Sequence, residues 1–245
     1  MSSNINLVLN RVTKRFGGNQ AVDHVSFSVT RPELIGMIGP NGAGKTTLTN
    51  VMSGMLKPTT GTIYLNGKRI DGHPAYDVTR AGLGRTFQIT RALGRMTVME
   101  NMMVPGLAHR PGAKRADLEE RAHETLSLLT IDHLTNEYSR ALSGGQRKLL
   151  ELGRLLMLEP TVIILDEPFA GVHPRLQETI YQYIHRVYED GKAIILISHD
   201  MGAVFELSQR LLVLHHGALI ADGAPQVVRS DPAVIEAYLG HDEED

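Results

Sequence analysis

Apolar and polar residues alternate over residues 5–12 and again over 22–29, where Val25, Phe27 and Val29 share one face. Tyr64-Leu65 then runs into the turn pair Asn66-Gly67 before Lys68 to Ile70. A period of two broken by such a turn predicts antiparallel sheet. Leu34 to Ile38 is instead almost continuously apolar and leads through glycines into a segment, Lys45 to Ser53, that fits a helix. This spacing predicts a buried strand feeding a helix. Thr97 followed by Glu100 has the spacing of a capping box, and a second helix fits Ala116 to Leu129 after Pro111-Gly112, so residues near 90–158 read as predominantly helical. Beyond Pro160 the pattern returns to strand (Val162 to Leu165), helix (Pro174 to Tyr188, with Leu176, Ile180, Ile184 and Val187 on one face) and strand (Ala193 to Ser198). Strands alternating with helices predict a parallel sheet. A hairpin at His216-Gly217 and a helix after Asp231-Pro232 complete the reading, followed by a solvated acidic tail.

Composition narrows the classes. With 42% hydrophobic and 21% charged residues, 245 residues hold ample apolar material for one principal core, which excludes disordered and collagen-like chains. A formal charge of −2 offers no global attraction to a polyphosphate backbone, so nucleic acid is not an expected partner. The chain has no cysteine, which removes disulfide frameworks, thiolate metal sites and cysteine nucleophiles. The longest apolar run, Ala193 to Ile197, is far shorter than the roughly 18 residues of a membrane span. The first residues lack the basic and apolar regions of a secretory signal, so a cytoplasmic location is expected.

Gly39-Pro40-Asn41-Gly42-Ala43-Gly44-Lys45-Thr46 fits the pattern G-x-x-x-x-G-K-[ST] and stands between the predicted strand and helix, as that motif requires. The glycines let backbone N–H groups converge on phosphate oxygens, and the helix N-terminus adds positive potential. Lys45 would reach the β and γ phosphates and the Thr46 hydroxyl would ligate Mg2+, with Thr47 adding a phosphate hydrogen bond. An exposed lysine on a glycine-rich turn is the plainer alternative. Val162 to Leu165 runs into Asp166-Glu167, and the carboxyl ends of strands are where ligands sit in an open α/β sheet. Asp166 would hold Mg2+ through water, and Glu167 would polarise the attacking water. An acidic pair that merely caps a strand at the surface is the competing reading.

Leu142-Ser143-Gly144-Gly145-Gln146 should appear by accident in only about four chains in ten thousand of this length. With GPNGAGKTT and VIILDE in the same order, the chain resembles the ATP-binding-cassette (ABC) ATPases over essentially its whole length. The resemblance implies an α/β P-loop NTPase fold: a parallel core sheet, an N-terminal antiparallel β region and a helical subdomain. It would be one nucleotide-binding domain over 1–245, with 1–89 and 159–245 forming the ATP-binding core and about 90–158 the helical signature part. The cofactors implied are ATP and Mg2+, with ATP lying between the phosphate loop (Gly39 to Thr47) of one subunit and Ser143, Gly144, Gly145 and Gln146 of another. Gln88 matches the family's glutamine loop, beside the metal or the water, and His199 matches the switch histidine at the γ-phosphate. Phe16 matches the aromatic that stacks on adenine, where ordinary core is the equal alternative. The implied partners are transmembrane permease subunits, a second ABC ATPase subunit, like or unlike, and a solute-binding protein. The implied location is peripheral, on the inner face of the cell membrane.

One position departs from the family. His173, in Ala170-Gly171-Val172-His173-Pro174, stands where an Asp usually crosses the dimer interface, which would rewire communication between two ATP sites without touching the Mg2+ and water positions. Met96, Met99, Met102 and Met103 suit either a groove for a partner's helix or a repacked core. Gly84-Arg85-Thr86-Phe87-Gln88, Met96 to Asn101, the loop at His173 and Glu236 to Gly240 together resemble the ATP-binding subunits of branched-chain amino acid importers. Relatives that move urea, amides or lipopolysaccharide share much of this pattern. A soluble ABC ATPase would bring a second cassette or a long insertion, for which the chain has no room, and a non-hydrolysing nucleotide binder would not need Glu167.

Overall fold

The computed structural model describes residues 5–86 and 92–239. The N-terminal alternation becomes strands β1 (Leu7–Phe16) and β2 (Asn19–Val29), followed by β3 (Leu34–Ile38) and helix α1 (Lys45–Met52). Strands β4 (Thr60–Leu65) and β5 (Lys68–Arg69), helix α2 (Ala75–Arg80) and strand β6 (Leu83–Arg85) come next. Helices α3 (Val98–His109), α4 (Arg115–Leu128) and α5 (Gly144–Leu156) form the helical region. Strand β7 (Val162–Asp166), helix α6 (Pro174–Glu189), strand β8 (Ala193–Ile197), helix α7 (Met201–Leu207), strands β9 (Arg210–His215) and β10 (Ala218–Gly223), and helices α8 (Pro225–Arg229) and α9 (Pro232–Leu239) complete it.

Two sheets result. An antiparallel one runs in the order β2-β1-β4-β5, and a six-stranded one in the order β10-β9-β3-β8-β7-β6. In the second, β9, β3, β8, β7 and β6 are mutually parallel and only β10 runs against its neighbour. The α/β class with a parallel core sheet and an N-terminal antiparallel region is thus what the chain adopts. Successive side chains of the parallel strands point into different cores, as a sheet buried on both faces requires. Ile163, Leu165, Ile194, Leu196, Leu211 and Val213 pack with α3 to α6, whereas Val162, Ile164, Ile195, Leu212 and Leu214 pack with α1 and the antiparallel sheet.

Several elements exceed the sequence reading. Strand β1 extends four residues past Val12 because one extra residue bulges between Leu9 and Val12, where Arg11 takes φ 46°, and the alternation changes phase there. A second bulge at His24, φ 48°, lies on β2 between Val25 and Val22 and restores the register at Lys14 and Val22, before a third shift between Lys14 and Arg15. Helices α2, α7 and α8 are too short for a 3.6-residue period to register. Tyr183 joins Ile180, Ile184 and Val187 on the buried face of α6 and donates its hydroxyl to the Leu152 carbonyl on α5 at 3.2 Å. The methionines divide: Met102 and Met103 are buried, Met99 packs partly against the core, and Met96 is exposed. Core packing therefore accounts for the first two.

Helix α3 starts where expected. The Thr97 N–H donates to Glu100 Oε2 at 2.7 Å and the Glu100 N–H donates to Thr97 Oγ1 at 3.2 Å, a reciprocal cap. The fully buried Asn101 ties down the segment before it: its amide nitrogen donates to the carbonyls of Leu93, Met96 and Thr97, and its Oδ1 accepts the Leu93 N–H at 2.8 Å. Replacing Asn101 by Leu removes those bonds while filling a similar volume, so the variant should lose about 2–3 kcal/mol of stability. A shift of the urea unfolding midpoint measures this; an unchanged midpoint would refute the account of how α3 is seated.

Candidate functional site

The carboxyl ends of β3, β7 and β8 open onto one cleft of about 490 Å3. It is lined by Asn41 to Thr47, by Asp166 and Glu167, by Ile197 and His199, by Phe16 with Asn19 to Ala21, and by His216 and Gly217. The chain leaves β3 at Gly39, φ 147°, where a Cβ would lie 2.1 Å from the Leu214 carbonyl oxygen. It enters α1 at Gly44, φ 99°, where a Cβ would lie 2.3 Å from the Ala21 carbonyl oxygen. No side chain fits at either point, so the loop must be glycine there. The loop is also bonded to its surroundings: the Gly217 N–H donates to the Ala43 carbonyl at 3.0 Å, and the Asp23 N–H donates to the Gly217 carbonyl at 2.8 Å.

Lys45 folds back across this loop, its ammonium donating to the carbonyls of Gly39 at 2.5 Å and Pro40 at 3.0 Å. Burial lowers its pKa from the ordinary lysine value, and the nearby charges of Glu167 and Asp166 oppose that shift. Asp166 closes β7 with its N–H donating to Thr86 Oγ1 at 3.0 Å and its Oδ2 accepting from the Arg85 guanidinium at 2.9 Å. Glu167 turns out of the strand at φ 49° while its N–H donates to the Ile197 carbonyl on β8 at 2.9 Å. Glu167 Oε2 accepts the His199 N–H at 3.3 Å and the Ser198 hydroxyl at 3.4 Å. Its Oε1 is buried, accepts no hydrogen bond, and lies 3.4 Å from His199 Nε2. This oxygen is committed to no hydrogen bond within the fold and faces the His199 ring at the cleft.

Of the residues expected from sequence, Phe16, the loop from Asn41 to Thr47, Asp166, Glu167 and His199 meet in the cleft. Phe16 is 48% exposed, which removes the ordinary-core reading. Gly39 and Pro40 contribute by accepting the Lys45 ammonium. Gln88 lies outside the described residues. Ser143, Gly144, Gly145 and Gln146 are not among the lining residues and sit instead at the start of α5. There the Ser143 hydroxyl oxygen accepts the Gln146 N–H at 3.2 Å and Gln146 Oε1 accepts the Ser143 N–H at 2.9 Å. The Ser143 hydroxyl proton and the first-turn amides of Gly144 and Gly145 have no intrahelical acceptor. His173 caps α6, its Nδ1 accepting the Arg175 N–H at 3.3 Å. Sequence reasoning missed Asn19, Gln20, Ala21, Ile197, His216 and Arg85. His216-Gly217 was legible as a turn, but nothing in the sequence shows that this turn closes on the phosphate loop.

Comparisons with known proteins show the family and the fold. The ABC transporter family profile matches residues 22–170, and that of the branched-chain amino acid ATP-binding cassette transporters matches residues 218–244. The chain is 37% identical to the high-affinity branched-chain amino acid transport ATP-binding protein BraF of Pseudomonas aeruginosa, over 96% of this chain and 97% of that one. It is 36% identical to the LivG protein of the same description from Escherichia coli, with the same coverage. Among solved structures, a nucleotide-free ATP-binding cassette from an ABC transporter superposes with TM-score 0.84 at 34% identity, covering 96% of this chain and 98% of that one. A dimeric cassette bound to ADP and Pi superposes with TM-score 0.80 at 25% identity, covering 89% and 98%. A phosphate loop, an acidic strand end and a signature helix start in this arrangement, matched over this much of the chain, place it in the ABC transporter family, as an ATP-binding cassette with ATPase activity.

Proposed function

We propose that this chain is the ATP-hydrolysing subunit of an importer for branched-chain amino acids. Its partners would be two transmembrane permease subunits, a second ABC ATPase subunit and a solute-binding protein. The substrate class is supported by the relatives at 36–37% identity and by the profile match at 218–244. Among the described residues no helix is long and apolar enough to cross a membrane, so passage of solute falls to the permease subunits. The chain would work on the inner face of the cell membrane. We assign 1–89 and 159–245 to an ATP-binding core and about 90–158 to a helical signature part, within one domain.

The single observation that carries the mechanism is the meeting of Lys45, Asp166, Glu167 and His199, from separate stretches of chain, in one cleft beside the glycine loop. ATP would lie with its adenine against the exposed ring of Phe16 and its phosphates under the amides of residues 41–47. Lys45 would leave the Gly39 and Pro40 carbonyls for the β and γ phosphates, a short movement of a charge already at the loop. The donor set suits Mg2+, which is commonly held by one or two carboxylates with substrate phosphates and water. Thr46, Asp166 and Gln88 would hold it, and it would neutralise charge on the phosphates. Glu167 Oε1 would accept a proton from water as the water oxygen bonds to the γ-phosphorus and the bond to the ADP oxygen breaks, giving ADP and inorganic phosphate. His199 would orient the γ-phosphate. Ser143, with the amides of Gly144 and Gly145, would close the site from the other subunit, since these donors lie outside the cleft of their own chain.

Glu167→Gln should lower steady-state ATP hydrolysis at least about a hundredfold while an ATP-dependent dimer accumulates on size-exclusion chromatography. A rate equal to that of the unmodified protein would remove Glu167 from the chemistry. Lys45→Ala should weaken ATP binding by about a hundredfold or more, measured with a fluorescent nucleotide; retained affinity would contradict the role of the loop. Cells lacking the gene should lose uptake of labelled leucine, isoleucine and valine. Unchanged entry of all three would overturn the substrate class and leave the ATPase standing.

A further inference from the structure

We propose that Arg85 is a positioning residue for hydrolysis, tying the Asp166 carboxylate to helix α1 so that Asp166 and the Thr46 hydroxyl keep a fixed separation. The inference rests on the roles given above to Asp166 and Thr46. The Arg85 side chain is 5% exposed and that of Asp166 11%. One terminal nitrogen donates to Asp166 Oδ2 at 2.9 Å; the other donates to Asn50 Oδ1 at 2.6 Å and to Ser53 Oγ at 3.2 Å. Ser53 gives its own proton to the Thr49 carbonyl at 2.7 Å, which leaves its lone pairs for the guanidinium. Thr46, Asn50 and Ser53 follow one another at four and three residues, so they form one stripe along α1. Arg85 thus grips the same helix face that presents Thr46 toward the cleft.

The neighbouring residue acts on the same carboxylate. Thr86 Oγ1 accepts the Asp166 N–H at 3.0 Å, and the Thr86 N–H donates to the Ile164 carbonyl at 3.0 Å, which holds β6 in register with β7. Backbone and carboxylate of Asp166 are both fixed by two consecutive residues at the end of β6. A planar guanidinium can serve the Asp166 and α1 acceptors together from one buried position, whereas an ammonium presents a point charge with no fixed fork. A pair serving stability alone would cost fold when broken and leave turnover per folded molecule intact. A positioning pair would instead change how the metal-side acid meets the nucleotide.

The test uses the purified full chain with three changes: Arg85→Lys, the double variant Asn50→Ala with Ser53→Ala, and Asp166→Asn. Melting temperature without nucleotide, ADP affinity in EDTA and in Mg2+, and kcat and KM for ATP are measured for each. Arg85→Lys and the double variant should bind ADP in EDTA within about twofold of the unmodified protein, lose several-fold of the tightening that Mg2+ brings, and lower kcat about tenfold with little change in KM. Wild-type kcat and Mg2+ tightening in a folded variant of either kind would overturn the proposal, as would a kcat loss that disappears when corrected for the folded fraction. If Arg85→Lys does not fold, the double variant, which leaves the Arg85–Asp166 pair intact, decides alone. Asp166→Asn separates the two levels. Full activity in that variant would defeat the reading of Asp166 itself, whereas an inactive Asp166→Asn beside a fully active Arg85→Lys defeats only the role of Arg85.

Discussion

The cleft is referenced to two backbone carbonyls, those of Leu214 on β9 and Ala21 on β2, which approach the phosphate loop so closely that a Cβ on Gly39 or Gly44 would overlap them. This steric constraint fixes where the loop can lie, because β9 belongs to the parallel sheet and β2 to the antiparallel one. The loop is wedged between the two sheets and pinned by the Gly217 to Ala43 and Asp23 to Gly217 hydrogen bonds. Its amides are therefore aimed before any anion arrives. That prior orientation matters because electrostatic stabilisation is greatest when donors need not reorganise at the moment of reaction.

The same two-sheet arrangement explains how the acids are presented. Strands β7 and β8 are buried on both faces, so polar chemistry begins at their carboxyl ends, where the apolar run stops and Asp166, Glu167 and His199 follow. Glu167 gains its direction from a left-handed backbone turn held by the Ile197 carbonyl, at a local conformational cost that a non-glycine residue bears only when its surroundings enforce it. Lys45 shares the cleft with the two carboxylates, and Arg85 pairs with Asp166 from the buried side at 2.9 Å. Burial lowers the pKa of Lys45, and the charges of Glu167 and Asp166 oppose that shift.

Much of this was legible in the chain because each motif forces a local geometry. GPNGAGKTT between an apolar strand and a helix, Asp-Glu after four aliphatic residues, and the Thr97–Glu100 cap are patterns in which residue type and backbone conformation depend on each other. What escaped was of two kinds. Bulges at Arg11 and His24 shift the alternation by one residue, so a reading based on strict period two stops early at Val12. Long-range closures were the other kind: Arg85 lies 81 residues from Asp166 and 35 from Asn50. A lone arginine in a short strand carries no sign of such partners. His173 was legible as a departure, but its physical role as the cap of α6 required the Arg175 N–H to be located.

The division of donors between the cleft and the start of α5 bears on why such a protein would act in pairs. Within the chain, the phosphate loop supplies an ammonium and a ring of amides, and the acidic strand end lies beside them. The α5 terminus supplies a hydroxyl and two first-turn amides but no lysine, with Gly144 exposed and open space where its side chain would be. Ser143 and Gln146 spend their mutual hydrogen bonds on capping that terminus, which orients its remaining donors. In the proposed dimer each half lacks what the other carries. Closure of that dimer would depend on the γ-phosphate, the part of the nucleotide that hydrolysis removes. Binding energy gained across the proposed interface would be lost with the product, which would make the chemical step a release of the pair and give it a direction that a site complete within one chain would not have.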